Sequence, residues 1–404
     1  MTTRAEPATR ALEAIDAADG ELRSLSRAIH ARPELAYEEV YAHDAITALL
    51  EAHGFAVDRS AYGLKTAFRA VAGSGKPVIA ILCEYDALPG IGHACGHNLI
   101  AAAGVAAGIG AAAAIPAGQG TVVVFGTPAE ERCGGKVDLI NAGAFDDVDV
   151  AMMVHPIGGR SVAAGVAATR WLPTAIHALN VRYIGKNAHA GASPWEGVNA
   201  LDAFVLAYNA IAVLRQQMPP SARVHGIVTR GGEAPNIIPD LVEARFFIRE
   251  STMATLEALE RRVLACFEGA ATATGCRLEH EWEGNAFSDM LISSPLIQAY
   301  ERHAAAAGLE VHPQPVHAGG STDMGNVSYV VPSIHPMFGI KTDDGNHTPG
   351  FTEGAGQPEA EDVMLKAAKA LALTAVSVAT DPALLSQARA EFRERTGREP
   401  GTRP

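Results

Sequence analysis

Side chains able to bind a metal ion or move a proton gather in five short stretches of this 404-residue chain. Four fall early: Glu84-Tyr85-Asp86, His93-Ala94-Cys95-Gly96-His97, Pro128-Ala129-Glu130-Glu131 and His155-Pro156. The fifth, Gly345-Asn346-His347-Thr348-Pro349, lies far downstream. Together they offer sulfur, imidazole and carboxylate donors, a ligand set for zinc or a similar transition metal. Neighbouring side chains at a strand end point different ways. One glutamate of the Glu130-Glu131 pair can therefore coordinate while the other stays free as a base. Singly, each stretch has a bland explanation. A Cys-x-His triplet arises by chance, adjacent glutamates usually face solvent, and a histidine before proline is usually structural. Their joint placement carries the argument. A further ligand is sought among His317, His335 and His347, and the turn-rich loop after the strand-like run 330–340 favours His347.

Competing chemistries fit less well. Gly108-x-Gly110-x-x-Ala113 imitates a dinucleotide fingerprint but sits inside an Ala-rich helical stretch, not at a strand-to-helix turn. Gly73-Ser74-Gly75-Lys76 lacks the spacing of a phosphate loop, and no Gly-x-Ser-x-Gly nucleophile elbow occurs. Cys95 and His97 are too close in sequence to act comfortably as a thiolate–imidazole pair.

The elements that must position these residues are legible as a repeat of strand and helix. Residues 8–31 read as a helix ended by Pro33. The apolar runs 77–83, 121–126 and 149–154 read as buried strands, and 99–114 and 136–142 as the helices between them. Such alternation predicts an α/β domain with a mostly parallel sheet and helices on both faces. In a parallel sheet, strand ends share one edge, where ligands of open α/β folds bind. Glu84 and Asp86, Glu130 and Glu131, and His155 follow three successive strands and should converge there. From about residue 172 the pattern changes to alternating strands at 177–184, 222–229, 241–249 and 276–282, with helices at 197–217 and 253–274. That order predicts an α+β domain with an antiparallel sheet, inserted at 174–285 between the catalytic segments 1–173 and 286–404. Residues 361–379 read as a long helix, and the Arg- and Glu-rich tail after Asp381 as a solvated helix that frays.

Composition narrows the function. With 48% apolar and 19% charged residues, the chain has material for cores and is no disordered polyelectrolyte. Its 32 basic and 45 acidic residues leave a net charge of −13, which argues against nucleic-acid or anionic-membrane partners. Five scattered cysteines make no disulfide framework, and no apolar signal segment is visible in residues 1–20, so a cytoplasmic location is expected. Residues 99–117 carry no charge, but their Ala and Gly content suits close packing inside a protein better than lipid.

At these residues the chain resembles the aminoacylase, carboxypeptidase G and hippurate hydrolase type of dimetal amidohydrolase, the peptidase M-20 family. The resemblance spans nearly the whole chain. It rests on Ile29-His30-Ala31-Arg32-Pro33-Glu34-Leu35, Asp86-Ala87-Leu88-Pro89, His93–His97, Pro128–Glu131, Gly185-Lys186-Asn187-Ala188-His189-Ala190-Gly191 and Asn346-His347-Thr348. The runs His93–Ile100 and Gly320–Asn326 look like the β-alanyl-lysine dipeptidase branch, with Asn98 where many bacterial members have Asp. The resemblance implies two divalent metal ions held by Cys95, His97, Glu131, His155 and His347. Cys95 stands where relatives use a bridging Asp. Sulfur favours zinc, while manganese or cobalt could also support activity. It further implies Glu130 as general base and Asp86 as a carboxylate orienting a ligand. His189 would be an oxyanion donor reaching over from a partner protomer, and Asn236 and Arg249 would hold a substrate carboxylate. The inserted domain would serve as lid and homodimer interface. The implied reaction is cleavage of an amide between a small acyl or aminoacyl group and an amino acid with a free carboxylate. Deacylation of N-acyl amino acids or aryl-amide conjugates is the alternative, and a non-catalytic metal-binding protein is the remaining one.

Overall fold

In the computed structural model, residues 6–316 and 320–403 are described. His317 lies outside them. The strands are, in chain order, β1 (Ala56–Arg59), β2 (Phe68–Ser74), β3 (Val78–Cys83), β4 (Gly120–Gly126), β5 (Val150–Met152), β6 (His155–Ile157) and β7 (Val166–Ala168). There follow β8 (Ala175–Ile184), β9 (Arg223–Arg230), β10 (Leu241–Glu250), β11 (Arg277–Phe287), β12 (Glu310–His312), β13 (Ser333–Ile334) and β14 (Met337–Gly339). The chain divides into two compact units.

The first unit is built on a six-stranded sheet of order β1-β2-β4-β3-β5-β13. Strands β4, β3, β5 and β13 run parallel, as the alternation of strands and helices predicts, while β1 and β2 close the edge antiparallel. Alternate residues of the central strands feed two cores. Ile79, Ile81, Val122 and Val124 enter one, and Val78, Ala80, Leu82, Val123 and Phe125 the other. This two-sided burial explains why these strands read as continuous apolar runs rather than alternating ones. Helix His97–Ala114 lies against the sheet, with 89% of its residues buried. Its small residues permit that approach: a Cβ at Gly104 would come 3.0 Å from the Leu82 carbonyl oxygen. Both this helix and Pro358–Thr380 are long and apolar enough to cross a membrane by composition alone, and both pack mainly into the core.

Three expectations need correction. The helix expected at 8–31 is two helices, Pro7–Ala17 and Asp19–His30, which meet at Ala18. The strand expected at 330–340 is two short strands split by His335-Pro336, with β13 in the large sheet and β14 in a second sheet of order β12-β7-β14-β6. The C-terminal helix Pro382–Thr396 does not stand free in solvent. It buries Leu384, Ala388 and Phe392, an apolar stripe at i, i+4, i+8 hidden among its charges.

The second unit comprises Pro173–Asp289 together with residues 320–322. It extends past residue 285 because β11 continues to Phe287. Its sheet, β11-β8-β10-β9, is antiparallel throughout. Side chains of β10 alternate between buried and half-buried, as the period of two requires. Helices Ala200–Leu214 and Met253–Thr274 supply the rest of this unit's core. The Asn199 side chain caps the first by accepting from the Leu201 and Asp202 amides.

Candidate metal centre

Parallel pairing of β3 with β4 and β5 brings the three strand ends to one edge. Glu84 and Asp86 follow β3, Glu130 and Glu131 follow β4, and His155 opens β6 just beyond β5. Cys95 and His97 are added at the start of the helix after β3. Gly96 between them has φ +75°, a left-handed turn that reverses the chain between the two donors. A Cβ there would also meet the Pro156 ring at 2.5 Å. His347 arrives from the distant loop and is fixed by its amide, which donates to the Ala94 carbonyl at 2.7 Å. It holds φ +67°, an unfavourable conformation for a non-glycine residue.

All five ligands implied by the resemblance belong to this cluster. The donor atoms of Cys95, His97 and His155 lie within 4.8 Å of one another, as do those of Cys95, Glu131 and His347, and those of His97, Glu130 and Glu131. Cys95 Sγ is 3.4 Å from His155 Nε2, and His347 Nε2 is 3.4 Å from Glu131 Oε2. Two nitrogen or oxygen ligands about 2.0–2.1 Å from one tetrahedral ion lie about 3.3 Å apart, and a sulfur–nitrogen pair about 3.6 Å. The observed separations match that spacing.

The polar bookkeeping of the cluster also fits cations. Glu84, Asp86, Glu130 and Asp323 are buried, and the Glu131 side chain is only 7% exposed. Among the described residues, the buried ammonium of Lys136 stands against these five carboxylates. His97 Nε2, Glu84 Oε2 and Glu131 Oε1 are buried without a hydrogen-bond partner. Unpartnered buried polar atoms and uncompensated buried charge are both costly, and divalent cations satisfy both at once.

The ring orientations suit ligation. Asp86 Oδ1 accepts from His97 Nδ1 at 2.9 Å, which leaves His97 Nε2 facing the centre. The other Asp86 oxygen accepts from the Glu131 amide at 2.9 Å, so one carboxylate fixes two ligands. His155 Nδ1 lies 2.8 Å from the Pro156 carbonyl, leaving Nε2 toward Cys95. Burial lowers the pKa of His155 to about 4, so its ring is neutral, the ligating form. Burial, reinforced by the charges of Glu84 and Glu131, pushes the Glu130 carboxyl well above its ordinary range. Such a carboxylate holds a proton more firmly than a solvated one.

Of the other histidines considered, His335 joins no ligand group among the described residues. Its ring packs 5.5 Å from that of His155 and 5.7 Å from that of Trp171. Asn98 does not face the centre. Its amide donates to Ser26 Oγ at 3.0 Å and to the Ala355 carbonyl at 3.1 Å, bonds an aspartate could not make. The Asn in place of Asp is therefore a packing feature here and says little about substrate. Sequence reasoning placed Glu84 at this edge without giving it a role, and it missed two members of the cluster, Lys136 and Asp323. The available signal for Lys136 was a lone lysine at the start of a short, mostly apolar helix, Gly135–Asn141.

Behind Glu130, Ala129 holds φ +60°, and its amide donates to Glu39 Oε1 at 2.9 Å. Thr66 Oγ1 donates to the other Glu39 oxygen at 2.8 Å. Burial, with the charge of Asp86 second, raises the Glu39 pKa from 4.5 to about 7. The folded state thus binds this proton more firmly than the unfolded chain. Its contribution is complete below about 4.5, declines as pH rises toward about 7, and is then flat. The decline is on the order of 3 kcal/mol. Urea unfolding of the metal-free protein between pH 4 and 8 should show it, and Glu39→Gln should flatten it. An unchanged decline in the variant would show that Glu39 is not the titrating group.

In the second unit, His189 and Asn236 are neighbours: Ala190 donates to the Asn236 carbonyl at 3.0 Å, and His189 bridges Ile237. His189 Nδ1 accepts from the Gly191 and Ala192 amides at 3.2 and 3.1 Å, which places the ring proton on Nε2 and leaves an exposed donor. Arg249 sits elsewhere, at the far end of β10, where it donates to Ser321 Oγ at 3.0 Å. Strand β10 begins at Leu241, beside the His189 end, so eight residues of extended chain, about 26 Å, separate the two places. Asn236 and Arg249, expected to share a substrate carboxylate, are not brought together within one chain.

Known proteins resemble this chain over most of its length. Residues 80–377 match the model of Peptidase family M20/M25/M40. Xaa-Arg dipeptidase of Mus musculus is 48% identical, over 95% of this chain and 91% of the relative, and that of Homo sapiens is 45% identical. A component of the p-aminobenzoyl-glutamate hydrolase of Escherichia coli is 32% identical, over 96% of this chain and 95% of the relative. Among solved structures, a Bacillus subtilis dinuclear metal-binding peptidase of the M20 family superimposes with a TM-score of 0.70 at 22% identity, covering 90% of this chain and 99% of that one. With a family match over most of its length and near-full-length relatives well above 30% identity, this chain belongs to peptidase family M20/M25/M40.

Proposed function

We propose that the chain is a dimetal dipeptidase that cleaves short peptides carrying a basic C-terminal residue. The observation that carries the reading is the cluster of ligand atoms at one sheet edge, with its unpartnered nitrogen and oxygens and its surplus of buried carboxylate. The identity to Xaa-Arg dipeptidases supports the substrate class. Cys95, His97, Glu131, His155 and His347 hold the ions, with zinc favoured by the thiolate and manganese or cobalt as alternatives. Divalent ions held there would supply Lewis-acid chemistry and a water whose pKa is lowered from 15.7 toward about 7. Glu130 takes the proton of the attacking water and returns it to the leaving amine. Asp86 keeps the His97 ring and the Glu131 backbone in place. His189 donates from Nε2 to the developing oxyanion, a contact typically worth about 10²–10³ in rate. Arg249 suits bidentate capture of the substrate carboxylate, and Asn236 assists.

The distance between Arg249 and the His189–Asn236 corner supports a homodimer in which each site draws on both chains. The exposed face of the second unit supports it too. Edge strand β9 exposes Ile227 by 65% and Val228 by 42%, and helix Ala200–Leu214 exposes Val213 by 73%. Bare apolar edges of this kind are normally covered. Free thiols at all five cysteines support a cytoplasmic setting.

A substrate panel tests the reading. β-Alanyl-lysine and an Xaa-Arg dipeptide should be cleaved with kcat/KM at least about tenfold above N-acetyl amino acids and hippurate, a difference of about 1.4 kcal/mol. Preference for p-aminobenzoyl-glutamate would instead support the aryl-amide alternative that the E. coli relative represents.

A further inference from the structure

Glu84 is a fully buried acidic residue of the centre and belongs to none of the roles given above. It follows β3 directly and has no exposed surface. One oxygen, Oε1, accepts from the Lys136 ammonium at 2.5 Å. The other, Oε2, has no hydrogen-bond partner. It lies 3.5 Å from His97 Nε2, itself unpartnered. That separation is the spacing of two donors on one ion, about 3.3 Å for oxygen and nitrogen ligands at about 2.0–2.1 Å.

The pose of Glu84 is held from behind. Lys136 has no exposed surface, and its ammonium also donates to Asp323 Oδ1 at 2.6 Å. Asp323 Oδ2 accepts from the Lys136 amide at 2.9 Å, so the same aspartate grips both ends of the lysine. Burying three charged groups is costly before any return. Two carboxylates against one ammonium leave the triad one negative charge in excess. A triad built only for stability would place that excess where water reaches it. This one directs it, as an unshared carboxylate oxygen, toward the cluster of His97, Glu130 and Glu131.

From this geometry we infer that Glu84 is itself a ligand of the metal centre, binding through Oε2 beside His97, and that Lys136 and Asp323 are positioning residues that hold it in its ligating pose. The inference rests on the metal-centre reading above and adds a sixth protein ligand to it.

Zinc binding and a zinc-loaded crystal structure of the full-length protein test it together. In the wild-type crystal, Glu84 Oε2 should lie about 2.0–2.2 Å from a zinc ion. In competition with a chelator, Lys136→Met and Asp323→Asn should each weaken zinc by about 10–100-fold, the usual effect of losing a ligand's supporting partner. Glu84→Gln should weaken it further, by more than about 100-fold at one of two sites. Zinc bound in wild type with Glu84 Oε2 beyond about 3 Å overturns this inference alone and leaves the five-ligand centre standing. Failure of wild type to take up zinc, manganese or cobalt overturns the metal-centre reading and this inference with it. Should a variant not fold, the wild-type crystal still decides.

Discussion

Glu130→Gln should keep the fold and the full metal content while kcat falls by about 10²–10⁴-fold, the range typical of a lost acid–base group. The substitution is nearly isosteric and the side chain is buried, so shape is preserved. It also removes one negative charge from a pocket where Glu84, Glu131 and Asp323 already repel the Glu130 carboxylate. Folding stability should therefore hold or rise, a change opposite in sign to the loss of turnover. That opposition separates a chemical role from a structural one. What the amide cannot do is accept a proton from water and pass it to the leaving amine. Steady-state kinetics beside metal analysis reads both quantities. Turnover at the wild-type level would remove Glu130 from the mechanism.

Cys95→Ser should have the largest effect on metal affinity. Among the described residues, Cys95 alone belongs both to the group with His97 and His155 and to the group with Glu131 and His347. Its loss therefore touches both groups that contain the five ligands implied by the resemblance. A serine hydroxyl is shorter than a thiolate and is a poor ligand at neutral pH. Zinc affinity should fall by more than the about 10–100-fold typical of a lost supporting residue. The fall should be smaller for manganese, which gains little from sulfur. Activity with zinc should drop in parallel, and manganese should restore a larger share of it. Equal losses for both metals would show that the thiolate does not set metal preference.

Much of the centre was legible in sequence because parallel strands place their following residues on one edge by geometry alone. Glu130, Glu131 and His155 needed only the correct reading of three apolar runs. His347 was less accessible, since it comes from a loop almost 200 residues after His155, and only its turn-rich setting distinguished it from His317 and His335. Lys136 and Asp323 were not legible. They meet only because the short helix Gly135–Asn141 packs beside Met324–Ser328, a tertiary contact with no local signature. The unassigned role of Glu84 has the same origin, since its significance depends on the lysine behind it. Conversely, the apolar stripe of the last helix was present in sequence at Leu384, Ala388 and Phe392 but was masked by surrounding charge. The separation of Asn236 from Arg249 follows from the length of β10. Strand length was readable, but which residues share one end of a sheet depends on pairing.

The central claim is that bound divalent ions make this cluster catalytic. Its most direct test is to strip the protein with a chelator, confirm the loss of metal, and follow β-alanyl-lysine hydrolysis while zinc is returned stepwise. Activity should vanish on stripping and recover fully as about two ions bind per chain. Wild-type turnover by protein free of metal would contradict the account.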